Sequence, residues 1–333
     1  MRQLVYIAGV DSGGSKTDIA FSSTNGKLLS YRRFGGTRIE IIGVNKALET
    51  IWGVMLDEIK QLGLPVEKLQ AVALGLGGLD SAEIYQAVQK KARAIFPSKC
   101  SISIWNDAQI GLYSGTFGRP GVCVVAGTGS LIAGMNEQKK WKRVGGWGSV
   151  FDDEGSAFNI GRLAVRACLR AKDGTGPPTI LSDYIKSALG LKELEAVVSQ
   201  LTWGEELIVR VASLAPLVDH VAQQGDPVAC RILKSEAMML AEHTLILIDS
   251  LNMKSNTIPI ILVGGCFNSL LFRETFIQHL SKKLNKKLKK KAKFVRPLWR
   301  PVVGALIAAL ESVGLEVSVR HAQRLGKSLS KVQ

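Results

Sequence analysis

Two short turns rich in glycine, serine and threonine offer the first residues that could do chemistry in this chain. One runs from Gly13 to Thr17, just after Asp11, and the other from Gly127 to Ser130. Glycines let the backbone approach a phosphate, and successive N–H groups can form a concavity that binds anions. The first turn lacks the G-x-x-x-x-G-K-[ST] spacing of a P-loop and leads into a strand, so by itself it also fits an ordinary hairpin. Because the design occurs twice, it favours a nucleotide held between two similar halves.

Carboxylates close to predicted strand ends are the candidates for proton transfer and substrate binding. Asp107 ends a short apolar strand, and a carboxylate at the end of an α/β strand often points into the ligand crevice. The alternative for Asp107 is an N-cap of the helix that follows. Asp153 and Glu154 lie in a glycine-flexible segment between a strand and a helix. Their alternative role is to complement the dipole of that helix.

Each of the two turns lies within a predicted three-stranded unit. The first unit contains LVYIAGV, TDIAFSS and KLLSYRRF, with a strong hairpin signal at Asn25 and Gly26. From Gly121 the arrangement returns as GVCVVAG, LIAGMN and WKRVGG. An amphipathic helix is predicted over 44–59, and the chain becomes mainly helical over 148–251. Strands alternating with helices predict an α/β protein.

Length and composition are those of an ordinary globular protein. The 333 residues are 46% hydrophobic and 21% charged, which suits two α/β domains. No apolar run reaches the ~18 residues of a membrane-spanning helix, and the apolar N-terminal stretch leads directly into a glycine-rich turn. We therefore expect a cytoplasmic protein. The cysteines are scattered, which indicates neither a disulfide framework nor a metal site: Cys100, Cys123, Cys168, Cys230 and Cys266.

The net charge of +15 raises the question of a nucleic-acid partner. Much of the charge lies in one stretch, Ser281 to Lys293, where Leu284 and Leu288 extend an apolar stripe of helical spacing. Lysines around such a stripe are typical of a solvated helix face. The stretch has no interleaved aromatic residues and no nucleic-acid-binding motif. We expect neither nucleic acid nor a membrane as a partner.

Seven ordered segments resemble the motifs of one family. They are GVDSGGSKTDIAF, LGLGGLDS, NDA, VVAGTGSLIAG, GGWGSVFDDEGSAFNIG, AQQGDP and VGGCFNS, and the resemblance that they carry runs from about Ile7 to Ala309. They resemble the N-acetylglucosamine kinase and BadF/BadG/BcrA/BcrD ATPase family. The resemblance implies a two-domain actin-like (ribonuclease H-like) α/β fold with an interdomain nucleotide and sugar cleft. The implied domains span 1–118 and 119–311, and a C-terminal helix over about 312–330 is expected to pack back on the first.

The resemblance also assigns roles to individual residues. Asp107 is the implied catalytic base, and Asp11 is the implied Mg²⁺ ligand, through water. The implied nucleotide-binding residues are Gly13, Gly14, Ser15, Lys16, Thr17, Thr128, Gly129, Ser130, Gly264, Gly265 and Gly304. The implied sugar-binding residues are Arg38, Asp107, Gly146, Trp147 and Asp153. The implied cofactors are ATP and Mg²⁺.

Three residues depart from the pattern of similar family members. Arg38 stands where Asn is usual, Leu131 follows the second turn where animal enzymes have Asn, and Asp152 replaces a small or neutral residue. Arg38 either faces solvent on a shifted loop or changes substrate choice towards a sugar that carries a carboxylate or phosphate.

The predicted function is an ATP-dependent kinase that phosphorylates a hydroxyl of a hexose or amino sugar. Two alternatives remain at this point: a regulatory ATPase of the reductase-activator type without an iron–sulfur cluster, and a non-catalytic sugar-binding relative. The expected partners are the sugar substrate and ATP, and a homodimer is left open.

Overall fold

The computed structural model describes residues 4–14, 16–79, 81–201, 207–296, 299–315, 317 and 319–329. Its strands are β1 (Tyr6–Ser12), β2 (Lys16–Ser23), β3 (Leu28–Gly35), β4 (Leu69–Leu76), β5 (Ser101–Asn106), β6 (Gly121–Ala126), β7 (Ser130–Met135), β8 (Trp141–Val144), β9 (Thr257–Val263) and β10 (Lys291–Val295).

The helices follow the same chain order. They are α1 (Ile39–Ile42), α2 (Val44–Gln61), α3 (Ala82–Ile95), α4 (Asp107–Thr116), α5 (Ala157–Lys172), α6 (Leu181–Leu189), α7 (Ala196–Leu201), α8 (Leu207–Ala212), α9 (Ala215–Gln223), α10 (Pro227–Leu251), α11 (Leu270–Leu288), α12 (Pro301–Ser312) and α13 (Val319–Leu329). Among the described residues, no helix is both long and apolar enough to cross a membrane.

The chain forms two compact units, each with its own sheet and hydrophobic core. Unit 1 comprises 1–120 and 296–333, and unit 2 comprises 121–295. The sheet of unit 1 has the strand order β3-β2-β1-β4-β5, with β1 antiparallel to β2 and parallel to β4. Its core is formed mainly by β1, β4 and the apolar face of α2. The helix predicted over 44–59 is thereby confirmed as α2.

The sheet of unit 2 repeats the topology of the first. Its order is β8-β7-β6-β9-β10, in which β6 pairs antiparallel with β7 and parallel with β9. The repeated arrangement predicted from Gly121 is confirmed. Helices α5 to α11 supply much of the core of this unit.

Helix α12 packs within unit 1 through two glycines. A Cβ added at Gly9 of β1 would lie 2.7 Å from the Leu306 nitrogen. One added at Gly304 would lie 2.0 Å from the Ile110 carbonyl oxygen of α4. Only glycine allows backbones to approach this closely. The domain predicted over 119–311 includes this helix, whereas the structure groups it with unit 1.

The lysine-rich stretch is not one continuous helix. Helix α11 ends at Leu288, because Lys289 adopts a left-handed conformation with φ of 56°. Residues 291–295 then form the edge strand β10, parallel to β9. Leu280 and Leu284 are buried and the surrounding lysines are mostly exposed, so the predicted solvated face is confirmed for the helical part.

Candidate active site

The turn between β1 and β2 is closed by its own backbone and supported by the loop that follows β3. The Gly13 amide donates to the Lys16 carbonyl at 3.0 Å. A Cβ on Gly36 would lie 2.0 Å from the Gly14 carbonyl oxygen, so this contact needs glycine. Lys16 is exposed at the start of β2, and the predicted phosphate ligand Ser15 lies outside the described residues. The turn therefore has a rigid base and an exposed lysine.

Three buried hydroxyl groups, those of Ser12, Thr17 and Thr37, support this turn through hydrogen bonds. The Thr37 hydroxyl lies 2.7 Å from the Thr17 hydroxyl and 2.9 Å from that of Ser12. The Ser12 hydroxyl also lies within donating distance of the Thr37 carbonyl, at 3.0 Å. The Thr17 side chain, predicted to bind phosphate, is thus directed into the protein. Its observed contribution is to position the turn.

Asp11 lies at a concentration of negative charge. Burial raises the pKa of its carboxyl to about 7, and the charges of Asp18 and Asp107 add to this effect, while Lys16 and Arg33 oppose it. Carboxylates are hard oxygen ligands that suit Mg²⁺, which proteins typically hold through one or two carboxylates together with substrate phosphates. The carboxyl chemistry of Asp11 therefore fits the Mg²⁺ that the family resemblance implies. Among the described residues no cluster forms a metal cage made of protein groups alone.

Asp18 is the centre of an ion-pair network that the sequence analysis missed. Its oxygens accept from Arg33 Nε at 2.6 Å and Arg33 Nη2 at 2.7 Å, and from the Tyr31 hydroxyl at 2.9 Å. Arg300 Nη1 lies 3.7 Å away. Burial opposes ionisation of Asp18, but the hydrogen bonds from Arg33 and Tyr31 outweigh it and lower its pKa. The network ties β2 to β3 and to the residue that precedes α12.

Asp107 begins α4 directly after β5. The N-cap is Asn106, whose side chain accepts from the Gln109 amide at 2.8 Å, while Gln109 Oε1 accepts from the Asn106 amide at 2.9 Å. This capping box leaves Asp107 at the first helical position, so the alternative role of N-cap belongs to its neighbour. Asp107 Oδ1 accepts from the Ala108 amide at 2.8 Å. The half-buried carboxylate is therefore oriented by the helix start.

Arg38 lies beside the β1–β2 turn. A Cβ on Gly14 would lie 3.7 Å from Arg38 Cδ, and one on Gly77 would lie 3.6 Å from Arg38 Cγ. The guanidinium pairs with Glu40. The side chain thus places a positive charge next to a predicted phosphate turn.

The β6–β7 turn of unit 2 is attached to the start of α5. The Gly127 amide donates to the Gly129 carbonyl at 2.9 Å. The Ala157 amide donates to the Gly127 carbonyl at 2.8 Å, and the Phe158 amide donates to the Thr128 carbonyl at 3.2 Å. Thr128 is exposed, so its side chain is accessible to a ligand.

Asp153 has a strained backbone and faces the same turn. Its φ is 74°, which a non-glycine residue rarely adopts, and such strain concentrates at functional sites. A Cβ on Gly129 would lie 2.8 Å from Asp153 Oδ2, so the glycine leaves room in front of this buried carboxylate. Ser130 donates its hydroxyl to the Glu154 carbonyl at 2.8 Å. The predicted residues of the second turn therefore contact the acidic segment, 152–156.

Glu236 of α10 holds the acidic segment in place and was not predicted. Its Oε2 accepts from the Gly155 amide at 2.7 Å and from Asn159 Nδ2 at 2.8 Å. Burial raises the pKa of Glu236, while those two hydrogen bonds oppose the rise. Oε2 of the neighbouring Glu154 is buried with no hydrogen-bond partner among the described residues. Such an oxygen is suited to accept from a substrate hydroxyl or from water.

Trp147 projects from a glycine-rich turn whose conformation Asp152 stabilises. Gly146 has a φ of 77°, and Asp152 Oδ2 accepts from the Trp147 amide at 3.0 Å. The Trp147 side chain is 68% exposed, and the Arg143 guanidinium lies 4.4 Å from its ring centroid. Asp152, a departure from the family pattern, thus shapes a predicted sugar-binding turn.

The end of β9 lies against the β6–β7 turn. Gly264 has a φ of 108°, and a Cβ there would lie 2.2 Å from the Ala126 carbonyl oxygen. A Cβ on Gly265 would meet nothing within 4 Å, so its surface is open to a ligand. Gly304, the remaining predicted nucleotide residue, lies in the α12–α4 contact of unit 1, and that close packing accounts for a glycine there.

The chain is similar to known proteins over most of its length. Residues 8–309 match the BadF/BadG/BcrA/BcrD ATPase family. The chain is 30% identical over 266 residues to an N-acetylmuramic acid/N-acetylglucosamine kinase of Clostridium acetobutylicum, which covers 80% of this chain and 86% of the relative. It is 28% identical over 278 residues to an N-acetyl-D-glucosamine kinase of Dictyostelium discoideum, with the same coverage of 80% and 86%.

The fold is also found in solved structures. A crystal structure from Chromobacterium violaceum, provisionally named an N-acetylglucosamine kinase, superimposes with a TM-score of 0.70 at 22% identity, covering 92% of this chain and 99% of that one. Together with the two sheets of equal topology, this likeness shows the two-domain actin-like α/β fold. The chain belongs to the BadF/BadG/BcrA/BcrD ATPase family.

Proposed function

We propose that this protein transfers the γ-phosphoryl group of ATP to a hydroxyl of N-acetylglucosamine and of its lactyl-ether acid, N-acetylmuramic acid. Family membership and the two curated relatives, both sugar kinases by name, make it an ATP-dependent carbohydrate kinase. The choice of sugar rests on the name of the relative that is 30% identical and on the position of Arg38.

The observation that carries the proposal is the placement of Asp107. It begins α4 in the same unit as the β1–β2 turn, and its charge raises the pKa of Asp11. A carboxylate within reach of a sugar hydroxyl can accept its proton as the phosphoryl group arrives. Since positioning and charge neutralisation carry most of the rate in phosphoryl transfer, the base makes a smaller contribution.

The other predicted site residues would bind the nucleotide and the sugar and orient them for the reaction. The backbone of 13–14 and 128–129 is suited to phosphate oxygens, and Asp153 is suited to sugar hydroxyls. Asp11 would hold Mg²⁺, which when bound neutralises phosphate charge. A coupled ADP-release screen over neutral hexoses, amino sugars, N-acetylated amino sugars and sugar acids tests the assignment. Turnover of neither N-acetylated sugar would contradict it.

Arg38 is proposed to recognise the carboxylate of N-acetylmuramic acid. A guanidinium can bind a carboxylate through two parallel hydrogen bonds, whereas a neutral acetamido sugar gains less from it. Replacing Arg38 by Asn should lower kcat/KM for the acidic substrate by an amount equivalent to ~1.5–3 kcal/mol, the range for hydrogen bonds to charged groups. The measurement is the ratio of kcat/KM for N-acetylmuramic acid and N-acetylglucosamine.

A matched control separates this contact from a general loss of charge. Arg93 is exposed on α3 of the same unit, so Arg93→Asn should leave the ratio unchanged. A constant ratio in Arg38→Asn as well would show that Arg38 does not contact the sugar.

Gly129 gives a test of the second turn. A methyl group at this position would press on Asp153 Oδ2, which lies 2.8 Å from the Cβ position. Because small displacements of positioning groups can cost up to about 10²-fold in rate, we expect Gly129→Ala to lower kcat/KM for the sugar by about 10- to 100-fold. Steady-state kinetics measure the effect.

Gly53→Ala is the control for this substitution. Gly53 is exposed in α2 and a Cβ there meets nothing within 4 Å, so alanine should leave catalysis unchanged and favour the helix. Normal kinetics in Gly129→Ala would argue against a substrate role for Asp153.

A further inference from the structure

One face of α5 lines a pocket of about 300 Å³ in unit 2. Leu163, Arg166 and Arg170 lie on this face, since residues three and four positions apart share one side of a helix. Next to them the 175–177 loop is held against the end of α5, because the Thr175 amide donates to the Arg170 carbonyl at 2.9 Å. The volume is at the lower end for small-molecule sites.

The start of α10 forms the opposite wall. Val228, Arg231 and Ile232 line the pocket there, again on one helical face. Val228 and Ile232 are buried, so with Leu163 they form an apolar floor. The walls are therefore two helices packed into the core of unit 2, which gives the pocket a rigid frame.

The charge at the rim has one sign only. Arg166 and Arg231 are exposed, and neither makes a hydrogen bond or ion pair within the part of the chain that the structure describes. Arg170 uses Nη2 to donate to the Thr175 carbonyl at 3.2 Å. No Asp or Glu lines the pocket. Guanidinium groups gathered without a counter-charge attract an anion, and their planar donors match phosphate oxygens.

The N-terminus of α10 is not what attracts an anion to this pocket. The side chain of Asp226 already caps α10, accepting from the Val228 amide at 2.9 Å and the Ala229 amide at 2.8 Å. It also accepts from the Thr179 hydroxyl and from the Ile180 amide. Binding of an anion would therefore depend on the arginines.

We propose that this pocket binds a small phosphomonoester. The dianionic phosphate is held by Arg166 and Arg231, and the carbon skeleton covers the floor formed by Leu163, Val228 and Ile232. The site is separate from the β6–β7 turn, because Arg166 lies nine residues after Ala157, about 14 Å along the helix. This inference is independent of the proposed sugar and extends beyond the kinase reaction.

Helix α5 connects the β6–β7 turn directly with the pocket. Its first amides hold the β6–β7 turn, and its third turn carries Arg166. A bound phosphomonoester would thus contact the helix that positions a predicted phosphate turn.

Isothermal titration calorimetry on the full chain tests the proposal. The probes are phenyl phosphate, a hexose 6-phosphate and inorganic phosphate, each titrated with and without a non-hydrolysable ATP analogue that occupies the nucleotide site. The first two probes distinguish an aromatic from a sugar skeleton. We expect saturable binding of at least one ester, weakened about tenfold or more by Arg166→Ala and by Arg231→Ala.

Lys234→Ala is the matched control, because Lys234 is exposed one turn after Arg231 and does not line the pocket. It should leave binding unchanged. Unaltered melting temperatures check that the variants fold. The proposal is overturned if no ester binds saturably at millimolar concentration, if the two arginine variants bind like the wild type, or if inorganic phosphate binds as tightly as both esters.

Discussion

Asp107→Asn will fold and bind sugar but lose about 10²–10⁴-fold in kcat, the usual contribution of a positioned general base. Asparagine keeps the size of the side chain and can still accept from the Ala108 amide, so the helix start should remain intact. What it loses is the ability to take the proton of the sugar hydroxyl. Steady-state kinetics give kcat, and calorimetric titration with the sugar gives the affinity.

The control for this variant is Asp57→Asn. Asp57 is exposed on α2 in the same unit, and its substitution should change neither quantity. A kcat of Asp107→Asn close to that of the wild type would place the base elsewhere. A large loss of sugar affinity without a loss of kcat would make Asp107 a binding residue only.

Asp18→Ala is expected to destabilise unit 1 by about 3 kcal/mol. Removing one partner of a buried ion pair typically costs ~3–5 kcal/mol, and the lower end applies here because Arg33 keeps 37% of its side-chain surface exposed. Tyr31 also loses its acceptor. Hydrogen exchange of peptides from β1 to β3 measures the local free energy of opening, separately from unit 2.

Glu49→Ala is the comparison for an exposed ion pair. Glu49 pairs with Lys91 on the surface, with 61% of its side chain exposed, and such pairs contribute about 0–1 kcal/mol. Equal effects of Asp18→Ala and Glu49→Ala on the free energy of opening would show that burial of the Asp18 network adds no stability to unit 1.

The contribution of the Asp18 network to the stability of unit 1 also depends on pH. The folded protein lowers the pKa of Asp18, so the contribution is present above the unfolded value of about 3.9 and is lost as the pH falls through the folded pKa. Asp18→Asn, which cannot ionise, should therefore show a shallower loss of protection in β1 to β3 below about pH 4.

Features governed by short-range rules were predictable from the sequence. The Asn25-Gly26 hairpin is one, since Gly26 supplies the φ of 82° that the turn needs. The duplicated order of strand, turn and strand is another, because hydrophobic runs and glycine turns are local patterns. Asp153 and Gly129, predicted from separate motifs, are in contact in the structure.

Features that depend on which charged residues become buried were not predicted from the sequence. Nothing in the local pattern distinguishes Asp18 or Glu236 from solvent-exposed acids. Asp18 is buried because β3 and the residue before α12 cover it, and Glu236 because α10 packs against the start of α5. The partners of Glu236 lie 77 and 81 residues away, so only the folded chain brings them together.

The sequence by itself determined the two glycine turns, their flanking strands and the carboxylates at strand ends, because each depends on backbone preferences over a few residues. The tertiary structure decided that α12 belongs to unit 1, that Thr17 faces inward and that Arg38 lies on Gly14. These outcomes follow from close packing between distant segments, where a single Cβ, as at Gly304, would be enough to prevent contact.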